Sequence, residues 1–249
     1  EPSQKFRKSH CHILPRSDAP PGPPSPPQLS RTANVPPMPI KHLDPVRPVA
    51  ISDLYSGSAH PMREVTRSVA FGKGWNPDRL ESVKELFDSL APEWTESRSD
   101  PDRALPLLDA LERGEVEGRL ALELGAGTCL FTGALCSRFA SVIALDLAPE
   151  MLLHAVTDEA PLVNADSSML PFRDGVADLI VLVNMLLFPT EVERCLAPEG
   201  TIVWVNSRAE ETPIHLSAED LEAAMSTTRT DSWTGVASRA LTGSWCVLR

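Results

Sequence analysis

The chain has 249 residues, of which 42% are hydrophobic and 23% charged, a composition that supports one sizeable globular core with appended segments. The net charge is −11, and the acidic excess lies beyond residue 50, which argues against nucleic acid because like charges repel. The longest apolar stretch, 179–188, is too short to insert into a membrane, and five irregularly spaced cysteines without a Cys-x-x-Cys motif favour reduced thiols in a cytoplasmic protein without a metal site.

The first 50 residues contain 13 of the 24 prolines. Proline lacks a backbone N–H and fixes φ, so this segment is a poor candidate for helix or sheet. We therefore predict a Pro-rich disordered tail over residues 1–50. The tail is either a partner-binding arm or a non-native extension, and the sequence leaves both interpretations open.

Two helices are predicted over residues 51–115. The first begins at Asn76-Pro77, since Asn76 suits the capping position and Pro77 the first helical position, and Pro92 is expected to end it. The second runs from Asp100-Pro101 to about Gly114. Helical spacing of Leu80, Val83, Phe87 and Leu90 indicates one buried face. We expect this N-terminal helical cap to pack on the domain that follows.

From residue 116 to 249 the pattern alternates between strand and helix. Strands are predicted at 120–124, 141–145, 162–163, 178–183 and 201–206, followed by a closing pair at 232–240 and 243–248; helices are predicted to begin near 128, 148, 190 and 217. This alternation is typical of an α/β fold with a doubly wound, Rossmann-like, mostly parallel sheet. The closing pair would add one antiparallel strand at an edge.

The turn after the first predicted strand is the first candidate for a ligand site, because such sheets bind ligands at the carboxyl ends of their strands. Gly125 and Gly127 allow the backbone to approach a ligand, and Glu123 places a carboxylate at the strand end. Leu130 occupies the position of the last glycine of a G-x-G-x-x-G dinucleotide motif. The carboxylate suits an amino-bearing ligand better than a phosphate, although any tight strand-to-helix turn explains the glycines alone.

Two further carboxylates follow the next two strands. Asp146 ends the second strand, 19 residues after Gly127, where it can accept both ribose hydroxyls, a role common to NAD and adenosylmethionine sites. Asp166 follows the third strand, where it can accept an adenine amino proton while the Ser167 amide meets the ring. Acidic residues at three successive strand ends favour a ligand site over a solvated surface.

Four motifs carry a resemblance to a known family. They are the Glu123–Gly127 turn, the run Ala165-Asp166-Ser167-Ser168-Met169-Leu170-Pro171-Phe172, the run Glu193-Arg194-Cys195-Leu196-Ala197-Pro198-Glu199-Gly200, and the upstream segment Phe87-Asp88-Ser89-Leu90-Ala91-Pro92-Glu93-Trp94. In this order they resemble class I S-adenosylmethionine-dependent methyltransferases of the ubiquinone/menaquinone-biosynthesis type, with a methyltransferase type 11 domain. The resemblance covers about residues 80–206 and implies a seven-stranded sheet with adenosylmethionine across its carboxyl edge.

The resemblance also implies the roles of individual residues. The methionine end would be held by Glu123, Gly125, Ala126 and Gly127, the ribose by Asp146 and Leu147, and the adenine by Asp166, Ser167 and Met151, with Asn184 facing the methionine or the substrate. Met151 is also explained as plain core, and Asn184 as a strand-end residue bonded to backbone. Cys129 stands where the family usually has a third glycine, which places a side chain near the ligand.

The catalytic residues and the acceptor lie outside these motifs. No catalytic residue is assigned, since orientation and desolvation supply much of the acceleration of methyl transfer. Candidates for a general base are His60, His154, His215 and Tyr55, each with a non-catalytic interpretation. The absence of an Asn/Asp-Pro-Pro-aromatic motif after Asn184 argues against amide or exocyclic nitrogen acceptors.

Instead, the apolar run 185–188, expected to face the cap around Trp94 and Phe71, favours a small or lipophilic acceptor, although core packing also explains it. Two alternatives to an adenosylmethionine-dependent methyltransferase remain at this point. They are a non-catalytic adenosylmethionine-binding module and a nicotinamide-dependent dehydrogenase. The oligomeric state is left open.

Overall fold

The computed structural model describes residues 40–49, 59–98 and 100–249. Most of the predicted Pro-rich tail, residues 1–39, lies outside this range, as does Tyr55. The predicted tail boundary at residue 50 is nevertheless wrong. Lys41–His42 forms a short strand that pairs with Val236 and Ala237, and the Leu43 amide donates to the Ala237 carbonyl at 2.8 Å. A two-residue strand between prolines has too little pattern to be recognised from the sequence.

The helices and strands alternate as predicted from residue 120 onward. The strands are β1 (Lys41–His42), β2 (Leu120–Leu124), β3 (Ser141–Asp146), β4 (Leu162–Asn164), β5 (Ala177–Val183), β6 (Leu196–Asn206), β7 (Gly235–Ala240) and β8 (Gly243–Leu248). The α-helices are α1 (Pro61–Ala70), α2 (Pro77–Trp94), α3 (Leu105–Arg113), α4 (Thr132–Cys136), α5 (Pro149–Leu153), α6 (Pro189–Cys195) and α7 (Ala218–Met225). The 3-10 helices of the described ranges include η1 (Glu96–Arg98), η2 (Pro101–Ala104) and η3 (Ala209–Glu211).

In the described part of the chain the strands form one sheet of eight, in the order β1-β7-β8-β6-β5-β2-β3-β4. The pairs among β2, β3, β4, β5 and β6 are parallel, and β8 runs antiparallel to both β6 and β7. The predicted α/β, doubly wound, mostly parallel sheet is therefore confirmed. It has eight strands rather than seven because β1 adds beside β7, an extension that the domain pattern did not indicate.

The helix boundaries follow local capping chemistry, with one correction. The Asn76 side chain accepts from the Arg79 amide and Pro77 is the first residue of α2, as expected, and Ser217 caps α7 in the same way. Pro92 was expected to end α2, but the helix continues to Trp94. A proline deletes one backbone hydrogen bond and crowds the preceding turn, so a helix can continue past it when little of the helix remains.

The core lies on both faces of the sheet. Along β5, alternate residues face opposite sides: Ile180 and Leu182 join one buried cluster with Leu122, while Leu179 and Val181 join a second cluster with Leu107 of α3. This two-sided burial explains why β5 reads as a continuous apolar run. Across the described ranges, none of the helices combines the length and the hydropathy that a membrane span requires.

Candidate cofactor-binding site

The carboxyl ends of β2, β3 and β4 are joined by short backbone hydrogen bonds. The Ala126 amide, in the turn after β2, donates to the Leu145 carbonyl at 2.8 Å, and the Ala165 amide, after β4, donates to the Asp146 carbonyl at 3.0 Å. The strand ends that carry the three predicted carboxylates therefore lie at one edge of the sheet. Glu123 and Asp146 lie in the last residues of β2 and β3, and Asp166 follows β4 by two residues.

The turn after β2 requires unusual backbone conformations. Gly125 and Gly127 have φ values of +70° and +57°, in the left-handed region that favours glycine. A Cβ at Gly125 would lie 2.4 Å from the Met185 sulfur, and one at Gly127 would lie 3.5 Å from the Trp94 indole nitrogen. Cys129 also has a positive φ of +63°, a conformation that suits the glycine which the family resemblance implies at this position. The two glycines therefore leave space beside the backbone of the turn that a side chain at either position would occupy.

Glu123 is the buried carboxylate beneath this turn. Only 1% of the residue is exposed, its Oε2 accepts from the Thr132 hydroxyl at 2.6 Å, and its Oε1 has no partner within the described structure. Burial, and to a smaller extent the nearby negative charge of Asp146, raise the pKa of Glu123 to about 7, while the Thr132 bond opposes the rise. An unpartnered buried carboxylate oxygen is costly, so the site is suited to a ligand that brings a positively charged donor.

Asp146 is held by the backbone of two turns. Its Oδ2 accepts from the Gly127 amide at 2.7 Å and its Oδ1 accepts from the Ala148 amide at 2.9 Å. Burial raises the pKa of Asp146, and the two amides oppose that rise. The Asn164 side chain donates to the carbonyls of Asp146 and Leu147 at 3.0 and 2.8 Å, which ties the end of β3 to β4. The carboxylate is thereby oriented without the use of all its lone pairs.

Asp166 is contacted by the cap, which the sequence did not predict. Its Oδ1 accepts from the Ser168 amide at 2.8 Å, and its Oδ2 accepts from the Ser168 hydroxyl at 2.6 Å and from the Trp75 indole N–H at 3.4 Å. Ser167 is 4% exposed. Because Trp75 and Asp166 are 91 residues apart, only the folded chain reveals the contact.

Met151 and Asn184 both make structural contacts. Met151 is 1% exposed and packs in a cluster with Ala91, Ala148 and Trp94, beside the turn that contains Gly127. Asn184, at the end of β5, exchanges hydrogen bonds with Ser207: its Oδ1 accepts from the Ser207 amide at 2.8 Å and its Nδ2 donates to the Ser207 hydroxyl at 3.0 Å. The contacts of Met151 and Asn184 correspond to the core and strand-end interpretations, and their cofactor roles stay predictions.

The cap contacts the loops at the carboxyl edge of the sheet. The Thr95 hydroxyl donates to the Thr128 hydroxyl at 2.8 Å, which joins the end of α2 to the turn after β2. The ring of Phe188 meets Trp75 edge-on at 5.0 Å, whereas Trp94 has Phe87 as its ring neighbour at 5.7 Å. Phe188 therefore faces the cap, as expected for run 185–188, and its ring partner there is Trp75 rather than Trp94.

The described candidates for a general base have other contacts. The His60 Nδ1 accepts from the Met62 amide at 3.2 Å and caps α1. The exposed His154 has its Nδ1 2.9 Å from the Glu150 carbonyl oxygen. Burial lowers the pKa of His215 to about 4, with a further contribution from Arg63. None of the three is placed by these contacts beside the turn after β2.

Comparison with known proteins agrees with this geometry. Residues 122–204 match a protein family described as a methyltransferase domain, of type 11. The malonyl-[acyl-carrier protein] O-methyltransferase of Halorhodospira halophila (strain DSM 244 / SL1) is 37% identical over 142 residues, which are 49% of this chain and 46% of that protein. The chain thus spans about half the length of this curated relative.

Two solved structures share the fold. The DhpI–SAH complex has a TM-score of 0.55 and 20% identity, and the match covers 68% of this chain and 96% of that one. The DhpI–SAM–HEP complex has a TM-score of 0.55 and 19% identity, and the match covers 71% of this chain and 100% of that one.

The sheet, the glycine turn and the matched segment agree with the resemblance to class I S-adenosylmethionine-dependent methyltransferases that the sequence motifs carry. The match to the methyltransferase domain covers about a third of the chain, and it contains the glycine turn and the strand ends that carry Asp146 and Asp166. The matched family, described as a methyltransferase domain, favours this class over the nicotinamide-dependent alternative.

Proposed function

We propose that the protein transfers the methyl group of S-adenosylmethionine to a small acceptor with an apolar portion, at the carboxyl edge of the sheet. The observation that carries this proposal is the unpartnered oxygen of Glu123 beneath the turn of Gly125 and Gly127. We assign residues 116–249 to the cofactor-binding domain and the described helices before residue 116 to its cap. The free thiols of Cys129, Cys136, Cys195 and Cys246 support the cytoplasmic location expected from the sequence.

The residues at this edge fit the cofactor group by group. Glu123 would accept from the ammonium of the methionine end, with Gly125, Ala126 and Gly127 as the backbone around it, and Asp146 would accept the ribose hydroxyls beside Leu147. Asp166 and Ser167 would meet the adenine, against Met151, and Asn184 would face the methionine or the acceptor. When bound, the cofactor supplies a methyl group on a positively charged sulfur, which is already activated for transfer.

The chain's own residues then orient and desolvate the acceptor. Leu186 and Phe188 follow β5 and pack with Met62, Val69 and Ile214 into an apolar wall between the cap and the sheet edge. This wall excludes water and is suited to the apolar portion of an acceptor. Positioning for in-line displacement is a sufficient source of acceleration, so the proposal needs no side chain that moves a proton.

Two observations favour a carboxyl oxygen as the atom that accepts the methyl group. The curated relative is named for O-methylation of a malonyl group, which makes a carboxyl oxygen a candidate. A carboxylate is already ionised at neutral pH and needs no general base, in keeping with the structural contacts of His60, His154 and His215.

The test separates binding from catalysis. We expect the full chain to bind S-adenosylhomocysteine but not NAD in calorimetry, and to form S-adenosylhomocysteine from S-adenosylmethionine with one or more of a panel of small carboxylate, hydroxyl and thiol acceptors. Binding without turnover on any acceptor class would favour a non-catalytic adenosylmethionine-binding module. No binding of S-adenosylhomocysteine would refute the site assignment.

A further inference from the structure

At the carboxyl edge of the sheet, where Arg103 contacts Ser207, the charges of Arg98 and Arg208 act on Arg103, although the chain as a whole is acidic with a net charge of −11. Arg98 ends η1, Arg103 is in η2, and Arg208 follows β6 by two residues. We refer to Arg98, Arg103 and Arg208 as the arginine cluster. Because like charges repel, the charges of Arg98 and Arg208 act against that of Arg103.

Arg103 is the member whose surroundings are best defined. Its Nη2 donates to the Ser207 hydroxyl at 3.3 Å, and its buried Nε has no partner within the described structure. Burial lowers the pKa of the Arg103 guanidinium, and the charges of Arg98 and Arg208 lower it further, with Asp100 as a partial offset. A partly buried guanidinium with an unused donor is suited to an anion.

The arginine cluster is linked to the cofactor loops from two sides. Ser207, which Arg103 contacts, is also the partner of Asn184 at the end of β5. On the other side, the Arg98 guanidinium stacks 3.5 Å from the centroid of the Trp94 ring, whose indole nitrogen lies over Gly127. The cluster therefore lies between the turn after β2 and the ends of β5 and β6.

The cluster also adjoins the apolar wall along the chain. The Arg208 amide donates to the Thr212 hydroxyl at 3.0 Å, and Thr212 lies two residues before Ile214 of the wall. On the neighbouring strand, Asn184 precedes Leu186 of the wall by two residues. An acceptor with an anionic end and an apolar portion matches this arrangement of charge and apolar surface.

We propose that the arginine cluster binds a carboxylate of the acceptor, an inference that rests on the proposed function. The acceptor class is then an acyl compound with a free carboxylate. A carboxylate oxygen forms the new O–CH₃ bond as the S–CH₃ bond breaks and its electron pair goes to sulfur, so a methyl ester forms without proton transfer. The methionine portion of the cofactor also carries a carboxylate. The test must therefore show whether the arginine cluster binds the carboxylate of the acceptor or that of the cofactor.

The test is calorimetry of the full chain and of Arg103→Gln, with Arg119→Gln as a matched control. Arg119 is exposed and precedes β2, at the opposite edge of the sheet. The probes are S-malonyl-N-acetylcysteamine and malonate in the presence of S-adenosylhomocysteine, and S-adenosylhomocysteine and 5′-methylthioadenosine alone. The last compound lacks the amino acid portion of the cofactor and so reports the nucleoside contacts.

We expect Arg103→Gln to weaken binding of the malonyl thioester about 10- to 100-fold, the range for one charge-assisted contact, with S-adenosylhomocysteine binding changed less than about twofold. Arg103→Lys should retain part of the affinity, and Arg119→Gln all of it. Tighter binding of the malonyl thioester than of malonate would identify the acyl thioester rather than the free acid as the source of the carboxylate.

Other results would overturn the proposal. Weaker binding of S-adenosylhomocysteine with unchanged 5′-methylthioadenosine binding would assign Arg103 to the cofactor's carboxylate instead. Equal binding of the malonyl thioester by the wild type and Arg103→Gln, or no binding by a wild type that binds S-adenosylhomocysteine, would also overturn it and leave the proposed function standing. A wild type that fails to bind S-adenosylhomocysteine would remove the proposed function itself.

Discussion

The buried carboxylate of Glu123 is expected to lower folding stability and to raise cofactor affinity. Its Oε1 has no partner within the described structure, and burial raises its pKa from 4.5 to about 7. Because the folded state binds this proton more tightly than the unfolded state, stability falls as the pH rises from about 4.5 to 7. At about 1.4 kcal/mol per pH unit, the ionised carboxylate costs roughly 3 kcal/mol at pH 8.

Glu123→Gln removes the charge and keeps an oxygen that can accept from Thr132. Without cofactor, we expect the variant to exceed the wild type in free energy of unfolding by about 1 to 3 kcal/mol at pH 8, and the difference to shrink toward pH 5. Urea denaturation at pH 5, 6.5 and 8 measures this difference. Glu117→Gln, at an exposed position in the loop before β2, is the matched control and should follow the wild type at each pH.

Cofactor affinity should change in the opposite direction. At pH 8 the variant lacks the carboxylate proposed to pair with the ammonium of S-adenosylhomocysteine, so its Kd should rise about 10- to 100-fold. Between pH 8 and 6 the wild type loses about tenfold through protonation of Glu123, so the ratio of the two Kd values should shrink. The ratio cancels the titration of the ligand. A ratio that stays constant over this range, or a variant that binds as tightly as the wild type, would refute the reasoning.

Three further substitutions test the loops and the cap. Gly125→Ala places a Cβ 2.4 Å from the Met185 sulfur, at a residue whose φ is +70°. We expect the free energy of unfolding to fall by about 1 to 2 kcal/mol, measured as a lower urea midpoint. An unchanged midpoint would show that the turn relaxes freely. Asp178 accepts from two amides at the start of β2, which lower its pKa, so its contribution is present above the unfolded pKa of about 3.8 and lost as the pH falls through the lower folded value. Asp178→Asn should therefore destabilise by about 1 kcal/mol at pH 7 and less at pH 3, and an equal loss at both pH values would contradict this cause. Trp75→Phe removes the N–H that donates to Asp166. In calorimetry, the variant should bind S-adenosylhomocysteine about two- to tenfold more tightly than the wild type. Weaker binding would instead place the indole among the cofactor contacts.

The sequence by itself determined the features that depend on neighbouring residues. The glycines of the turn after β2, the strand ends marked by Asp146 and Asp166, and the caps at Asn76 and Ser217 are local, because backbone conformation and side-chain period are set within a few residues. The alternation of strands and helices then determined that the carboxylates share one edge, since parallel strands end on the same side. The predictions of a mostly parallel sheet and of an adenosylmethionine cofactor followed from these features.

Only the tertiary structure decided which distant residues meet that edge. Trp75 bonds to Asp166 across 91 residues, and Arg103 to Ser207 across 104, and no periodicity relates such pairs. The pairing of Lys41–His42 with β7 is equally remote in sequence, which is why the tail was predicted to extend too far. The Glu123–Gly127 turn could be located from the sequence, but the unpartnered oxygen beneath it and the arginines beside it depend on how the cap and the strand ends pack together.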